Sequence, residues 1–254
     1  MDLTLTGRRV VITGGSSGIG RASALAFAAE GAHVGIVSRD VGGMTRTCEI
    51  AAEQGFTLAA ATADVTDVEA LERAFASLVQ EWGGVDAVVH CAAISGPVGR
   101  SLADVSVDEI RQTIDINVVG AFLVARTAQP LLAQATLPTF VMIGSDSAFV
   151  ASPDMVVYNA SKAAIVHMAR SLAVEWEPQG IRVNTVSPSI VDTPMSRADL
   201  GVGDEGFAGA DFPVLSADDV ARGVLYLSSS ASRGVNGHTL LMDFGYSARS
   251  SFPA

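Results

Sequence analysis

The run YNASK, residues 158–162, sets Tyr158 and Lys162 four positions apart in an alanine-rich stretch with helical patterning. On a helix, side chains at that spacing share a face, with Cβ atoms about 5–6 Å apart. In most proteins such a pair is a surface tyrosine beside a solvated lysine. It carries chemistry only where the chain also supplies a cofactor, a second polar group and a pocket. The run TGGSSGIG, residues 13–20, is the first sign of a cofactor. Its glycines let the backbone turn tightly and approach a pyrophosphate, which a helix N-terminus favours electrostatically. Glycines also serve ordinary turns, but a strand running into this turn and a helix leaving it favour the phosphate reading. Further on, ADVTD places Asp64 at a strand end. There its carboxylate either accepts from an adenine amino group or caps a turn or helix.

These groups need a scaffold, and the patterning supplies one. Short β-rich apolar runs fall at residues 9–13, 33–38, 57–62, 86–90, 140–143, 182–186 and 240–242. Helical patterns between them include 19–30, 68–82, 107–132, 156–177 and 217–229. Strands that are apolar throughout and alternate with helices predict an α/β fold: a doubly wound parallel sheet of seven strands, covered on both faces. No linker or internal repeat divides residues 1–254, so one domain is expected. The single long irregular segment, 193–216, reads as a substrate lid or as a partly disordered stretch.

Composition narrows the function. Nearly half of the 254 residues, 49%, are hydrophobic, which predicts a substantial core. The formal net charge of -11, without any basic block, speaks against a nucleic-acid or anionic-membrane partner. Only Cys48 and Cys91 are present and the four histidines are scattered, so neither a disulfide framework nor a metal site is expected. The first residues lack a signal-peptide core, and no apolar run reaches the ~18 residues of a membrane span. A soluble, cytoplasmic protein is expected.

Taken together, TGGSSGIG, Asp64, Asn117 in DINVVG, Ser145 in IGSDS, YNASK and GIRVNTVSPSIVDTPM resemble the classical short-chain dehydrogenase/reductase family over almost the whole chain. Ser145 stands 13 residues before Tyr158, the usual family spacing. The resemblance implies an NAD(P)-dependent oxidoreductase that interconverts a carbonyl compound and a secondary alcohol by hydride transfer. A free tyrosine, with a pKa of about 10, is a poor base near neutrality. Lys162 and an oxidised nicotinamide, both positive, would favour the phenolate, so that Tyr158 serves as acid or base. Ser145 would hold the substrate oxygen, with Ser147 a rival for that role. Lys162 would also grip the nicotinamide ribose, and Asn117 would position a water linking Lys162 to solvent. The implied cofactor contacts are Gly14, Ser16, Ser17, Gly18, Ile19, Gly20, Ser38, Arg39, Asp64, Val65, Ala92, Pro188, Ile190 and Thr193, together with Tyr158 and Lys162.

Several positions depart from the family pattern. His90-Cys91-Ala92-Ala93 stands where Asn-Asn-Ala-Gly is usual, and Ser189 follows Pro188 in place of glycine. His90 reads as a structural histidine bonded to backbone, with a catalytic role as the alternative. The second strand ends in Ser38-Arg39 rather than in an acidic residue, which favours NADP(H) over NAD(H), although Asp40 offers a carboxylate one step on. Ile94, Ser95, Pro97, Ser147, Phe149, Met155, Ile190 and Met195 are the expected pocket walls. They suit a neutral or weakly polar ketone or secondary alcohol. The resemblance further implies a homotetramer. A catalytically idle nucleotide-binding regulator and a non-redox lyase or epimerase are the alternatives on the same fold. The regulator would have no need of Asn117, Ser145, Tyr158 and Lys162 together.

Overall fold

Runs such as RVVIT and HVGIVS are apolar at nearly every position, so neither face of the strand they form can meet water. In the computed structural model, which describes residues 3–203 and 205–249, such runs pair in parallel. They are β1 (Arg9–Thr13), β2 (His33–Ser38), β3 (Leu58–Thr62), β4 (Ala87–His90), β5 (Thr139–Ile143), β6 (Arg182–Pro188) and, last in the chain, β9 (Thr239–Met242). Two further short strands, β7 (Val191–Asp192) and β8 (Leu215–Ser216), pair with each other. The main sheet has seven strands in the order β3-β2-β1-β4-β5-β6-β9. Strand order reverses between β1 and β4, where Thr13 lies opposite His90. That crevice is where open α/β sheets take their ligands.

Helices cover both faces: α1 (Gly18–Ala29), α2 (Val41–Glu53), α3 (Val68–Trp82), α4 (Val107–Ile114), α5 (Gly120–Leu132), α6 (Val156–Glu175), α7 (Pro194–Asp199) and α8 (Ala217–Ser228). Alternation along each strand divides the core. Val11, Val88, Phe140 and Met142 pack with α3, α5 and α6, including Phe75, Val124 and Ile165. Val10, Ile12, Val89 and Val141 pack with α1 and α8, including Phe27 and Val224. Local signals agree with these elements. Asp67 accepts from the Ala70 N–H at 2.9 Å to start α3, and Gly83, at φ 77°, ends it.

Two features differ from the sequence expectation. The helical stretch 107–132 is not one α-helix, because a π turn over Asp115–Val119 separates α4 from α5. A π turn inserts one residue into the ladder and often marks a functional position; here it carries Asn117. The segment 193–216 is not irregular throughout. Thr193 and Ser196 form a capping box that starts α7, and β8 pairs with β7 through Val191 and Leu215. Asp204, within that segment, lies outside the described residues, as do 1–2 and 250–254. Among the described residues no helix is long and apolar enough to cross a membrane.

Candidate active site

The site begins at the end of β1. Gly14 has φ 72°, and a Cβ there would stand 2.7 Å from the Ala92 amide nitrogen, so only glycine lets the turn meet the loop that follows β4. Gly20 packs the first turn of α1 back on this loop, where a Cβ would fall 2.2 Å from the Gly14 carbonyl oxygen. Ser17, at the N-cap of α1, makes no capping bond, and the first turn carries no acidic residue. The N-terminus of a 12-residue helix therefore faces the cleft with its amides uncapped by side chain, which fits a pyrophosphate. Thr193 covers the turn from above, its methyl 3.3 Å from where a Gly18 Cβ would be.

A single cleft of about 770 Å³ runs from this turn over the ends of the central strands. All the cofactor positions expected from sequence line it, as do Ser145, Tyr158 and Lys162. At its adenine end, Arg39 donates to Asp64 at 3.1 Å. Ser38 Oγ lies 3.2 Å from Ser16 Oγ and accepts from the Asp40 amide at 3.1 Å. Asp40 turns its carboxylate onto the first turn of α2, accepting from Gly43 N at 2.9 Å. The residues present thus fit a dinucleotide.

At the other end, α6 carries Tyr158 and Lys162 on one face, with the ammonium 5.7 Å from the phenol ring centroid. Lys162 is only 4% exposed and donates to the Ile143 carbonyl at 2.9 Å. Burial pushes its pKa down to about 8. Tyr158 is pushed up to about 12, chiefly by desolvation. The Ser145 hydroxyl works against that rise, and Asp146 and Asp199 add to it. The sequence expectation was a phenol lowered by Lys162 and an oxidised nicotinamide together. The protein's own residues have the opposite effect, because loss of water around the phenolate dominates and both nearby carboxylates repel it. Ser145 Oγ also caps the short turn Asp146–Ala148, accepting from Ser147 N at 3.1 Å, so its capping and cleft-lining placements coexist.

Asn117 is buried and does not line the cleft. Its amide accepts from Ile94 N and donates to Ile94 O, both at 2.8 Å, and donates to Ser161 Oγ at 3.0 Å. Both amide hydrogens are therefore committed to protein partners. His90 is 3% exposed and bonds the Thr13 hydroxyl through Nδ1 at 2.8 Å, not a backbone group. Burial and the Lys162 charge depress it to about 3, so it stays neutral and structural. Of the expected walls, Ile94, Ser147, Met155, Ile190 and Met195 line the cleft. Ser95, Pro97 and Phe149 do not; Phe149 is exposed, and Ser95 donates to Asp199 at 2.8 Å. Asp146, Asp199 and Asp243 do line it, and sequence reasoning missed them. Asp146 could have been suspected as the neighbour of Ser145, whereas α7 delivers Asp199 from far along the chain. Desolvation raises the pKa of Asp146 and of Asp199. Asp243 is held low, first by the Ser247 hydroxyl and also by backbone amides.

Comparison with known proteins adds a lineage. A family model described as enoyl-(acyl carrier protein) reductase matches residues 14–247. Borneol dehydrogenase from Lavandula x intermedia is 34% identical, with 96% of this chain and 92% of that one aligned. The 1-deoxy-11-beta-hydroxypentalenate dehydrogenase of Streptomyces exfoliatus is 38% identical over 84% of this chain and 77% of its own. Among solved structures, a short-chain dehydrogenase from Burkholderia cenocepacia in complex with NADP superposes with a TM-score of 0.85. It is 32% identical, covering 96% of this chain and 99% of that one.

Burial of Lys162 has a stability consequence. Between a folded value of about 8 and the ordinary 10.5, the unfolded chain holds a proton that the folded one has lost, so stability rises with pH across this window. Below it, the full cost of burying the ammonium is present. Lys162→Met is expected to raise the thermal midpoint at pH 7, with the gain shrinking from pH 8 to 10.5. A midpoint lowered equally at both ends of the window would show that the bond to Ile143 outweighs desolvation.

Proposed function

The chain belongs to the classical short-chain dehydrogenase/reductase family, and from that membership we propose that it interconverts a ketone and a secondary alcohol with NADP(H). The reading is carried by one observation: Ser145, Tyr158 and Lys162 line the same cleft as the glycine turn. Gly14, Ser16, Ser17, Gly18, Ile19 and Gly20 would hold the pyrophosphate, with Asp64 and Val65 at the adenine. Ala92, Pro188, Ile190 and Thr193 would flank the nicotinamide half. When bound, the nicotinamide supplies or accepts the hydride.

The remaining work falls to side chains. Tyr158 Oη gives its proton to the substrate oxygen during reduction and takes one from the alcohol during oxidation. Ser145 Oγ donates to that same oxygen and stabilises charge developing there. Lys162 grips the ribose and lowers the cost of the phenolate. Asn117 serves the proton path by holding Ile94 and Ser161 in place around Lys162. Desolvation pushes the phenol up to about 12, and the positive charge of the oxidised cofactor would favour the phenolate against that rise.

Ser38 and Arg39 support NADP(H), since Arg39 sets a cation at the end of β2, and Asp40 next to it is directed onto α2 by the bond from Gly43 N. Asp146 and Asp199 line the cleft, so a substrate without negative charge, neutral or weakly polar, suits it. Two relatives bear dehydrogenase names, for borneol and for 1-deoxy-11-beta-hydroxypentalenate, in keeping with an alcohol at the reacting centre. Exposed Phe122 on α5 and Val174 on α6, at 52% and 78%, favour burial of these helices in a homotetramer. The free thiols of Cys48 and Cys91 suit the reducing cytoplasm. Residues 193–216 act as a lid, hinged at Gly201 and Gly206 and pinned by Asp199 to Ser95.

Tyr158→Phe is expected to lower kcat for reduction of a ketone panel by about a hundredfold or more while NADPH still binds. Activity above about a tenth of wild type would overturn the role given to Tyr158. Arg39→Ala should erase a preference for NADPH over NADH in kcat/KM; a wild type that prefers NADH refutes that part. Hydrogen exchange across residues 193–216 should slow when cofactor and substrate are both bound. Equal protection with and without them would mean a fixed loop.

A further inference from the structure

The adenine end of the cleft holds an ion pair whose two members the cofactor reading uses only separately. Arg39 is largely exposed, with one nitrogen, Nη1, on Asp64 Oδ2 at 3.1 Å. Among the described residues, its Nε and Nη2 make no hydrogen bond within the protein. Asp64 is itself held: its other oxygen, Oδ1, accepts from Thr66 N at 2.9 Å and from Thr66 Oγ1 at 2.8 Å. Burial works against this carboxylate, yet the bonds from Thr66 and Arg39 outweigh it and keep the group below the usual range. The order of support is therefore Thr66, then Asp64, then Arg39. It runs from the end of β3 across to the end of β2, where Ser38 and Ser16 place their hydroxyls.

We infer that Asp64 is a positioning residue for 2′-phosphate recognition, holding Arg39 by one edge so that the rest of its guanidinium faces the phosphate. The inference rests on the NADP(H) reading and goes beyond it, because it gives a carboxylate a favourable part in binding an anion. An exposed arginine loses rotamer freedom whenever it grips a ligand. A guanidinium has five donors in a rigid fork, so one edge can stay on Asp64 while the other meets a phosphate. Bare electrostatics argues for the opposite sign, since a carboxylate near a phosphate repels it. Which effect is larger decides whether removing the carboxylate weakens or strengthens recognition of the phosphate.

The test compares 2′,5′-ADP with 5′-AMP by isothermal titration calorimetry, so that any contact between Asp64 and adenine cancels in the ratio of affinities. Wild type should bind 2′,5′-ADP more tightly. Asp64→Asn and Asp64→Ala should each cut that ratio about twofold to fivefold, the range of an exposed ion pair. In an Arg39→Ala background the same changes should leave the ratio unmoved, because nothing remains to be positioned. Retained binding of 5′-AMP would exclude general damage to the cleft. A ratio unchanged or raised in both Asp64 variants overturns the inference and leaves NADP(H) preference standing. Equal binding of the two nucleotides by wild type overturns the preference and the inference together.

Discussion

The buried amide of Asn117 is the join on which the catalytic end depends. It holds both backbone groups of Ile94 at 2.8 Å and the Ser161 hydroxyl at 3.0 Å. Ser161 in turn donates to the Tyr158 carbonyl at 2.8 Å. Three pieces of chain meet there: the loop beyond β4, the π turn between α4 and α5, and the first turns of α6. Every polar atom in such a join must be satisfied, because each buried orphan would cost on the order of 1–3 kcal/mol. The π turn is the local irregularity that accompanies this placement of the Asn117 side chain. The bond from Ser161 ties this join to the turn of α6 that carries Tyr158.

Around that join, the protein keeps titratable groups where water is scarce. Lys162, Tyr158 and His90 all have their charged forms disfavoured, and desolvation is the first cause for each. A fold selected for stability alone would fill such positions with apolar side chains. Here the cost is local and is partly offset by the Ile143 carbonyl on Lys162 and the Thr13 hydroxyl on His90. The same dryness strengthens every electrostatic effect a bound ligand brings. A positive cofactor ring beside Tyr158 would therefore act on the phenol far more strongly than it could in water.

The two ends of the cleft are electrostatically unlike. At the end with the glycine turn, backbone amides and serine hydroxyls converge, Arg39 is paired with Asp64, and the carboxylate of Asp40 is turned onto a helix. At the end with Tyr158, Asp146, Asp199, Asp243 and Lys162 line the wall.

The α/β alternation, the parallel sheet, the glycine turn and the i, i+4 placement of Tyr158 and Lys162 were legible in the sequence. Each follows from local periodicity or from a backbone demand that only glycine meets. Outside the stretches 107–132 and 193–216, the limits of the expected elements were legible to within a residue or two, as with β3 beginning at Leu58 and α6 ending at Glu175. What stayed hidden depends on groups far apart in the chain. The partner of His90 is a threonine on the adjacent strand, and Asp199 reaches the cleft only because α7 folds back over it. Asp40 could not be assigned from spacing, since capping α2 and facing a ribose demand the same residue type. The direction of the Tyr158 shift was likewise undetermined, because it turns on how much water the folded walls exclude. Sequence fixes which groups are present and which face of an element they share; only packing across elements decides what surrounds them.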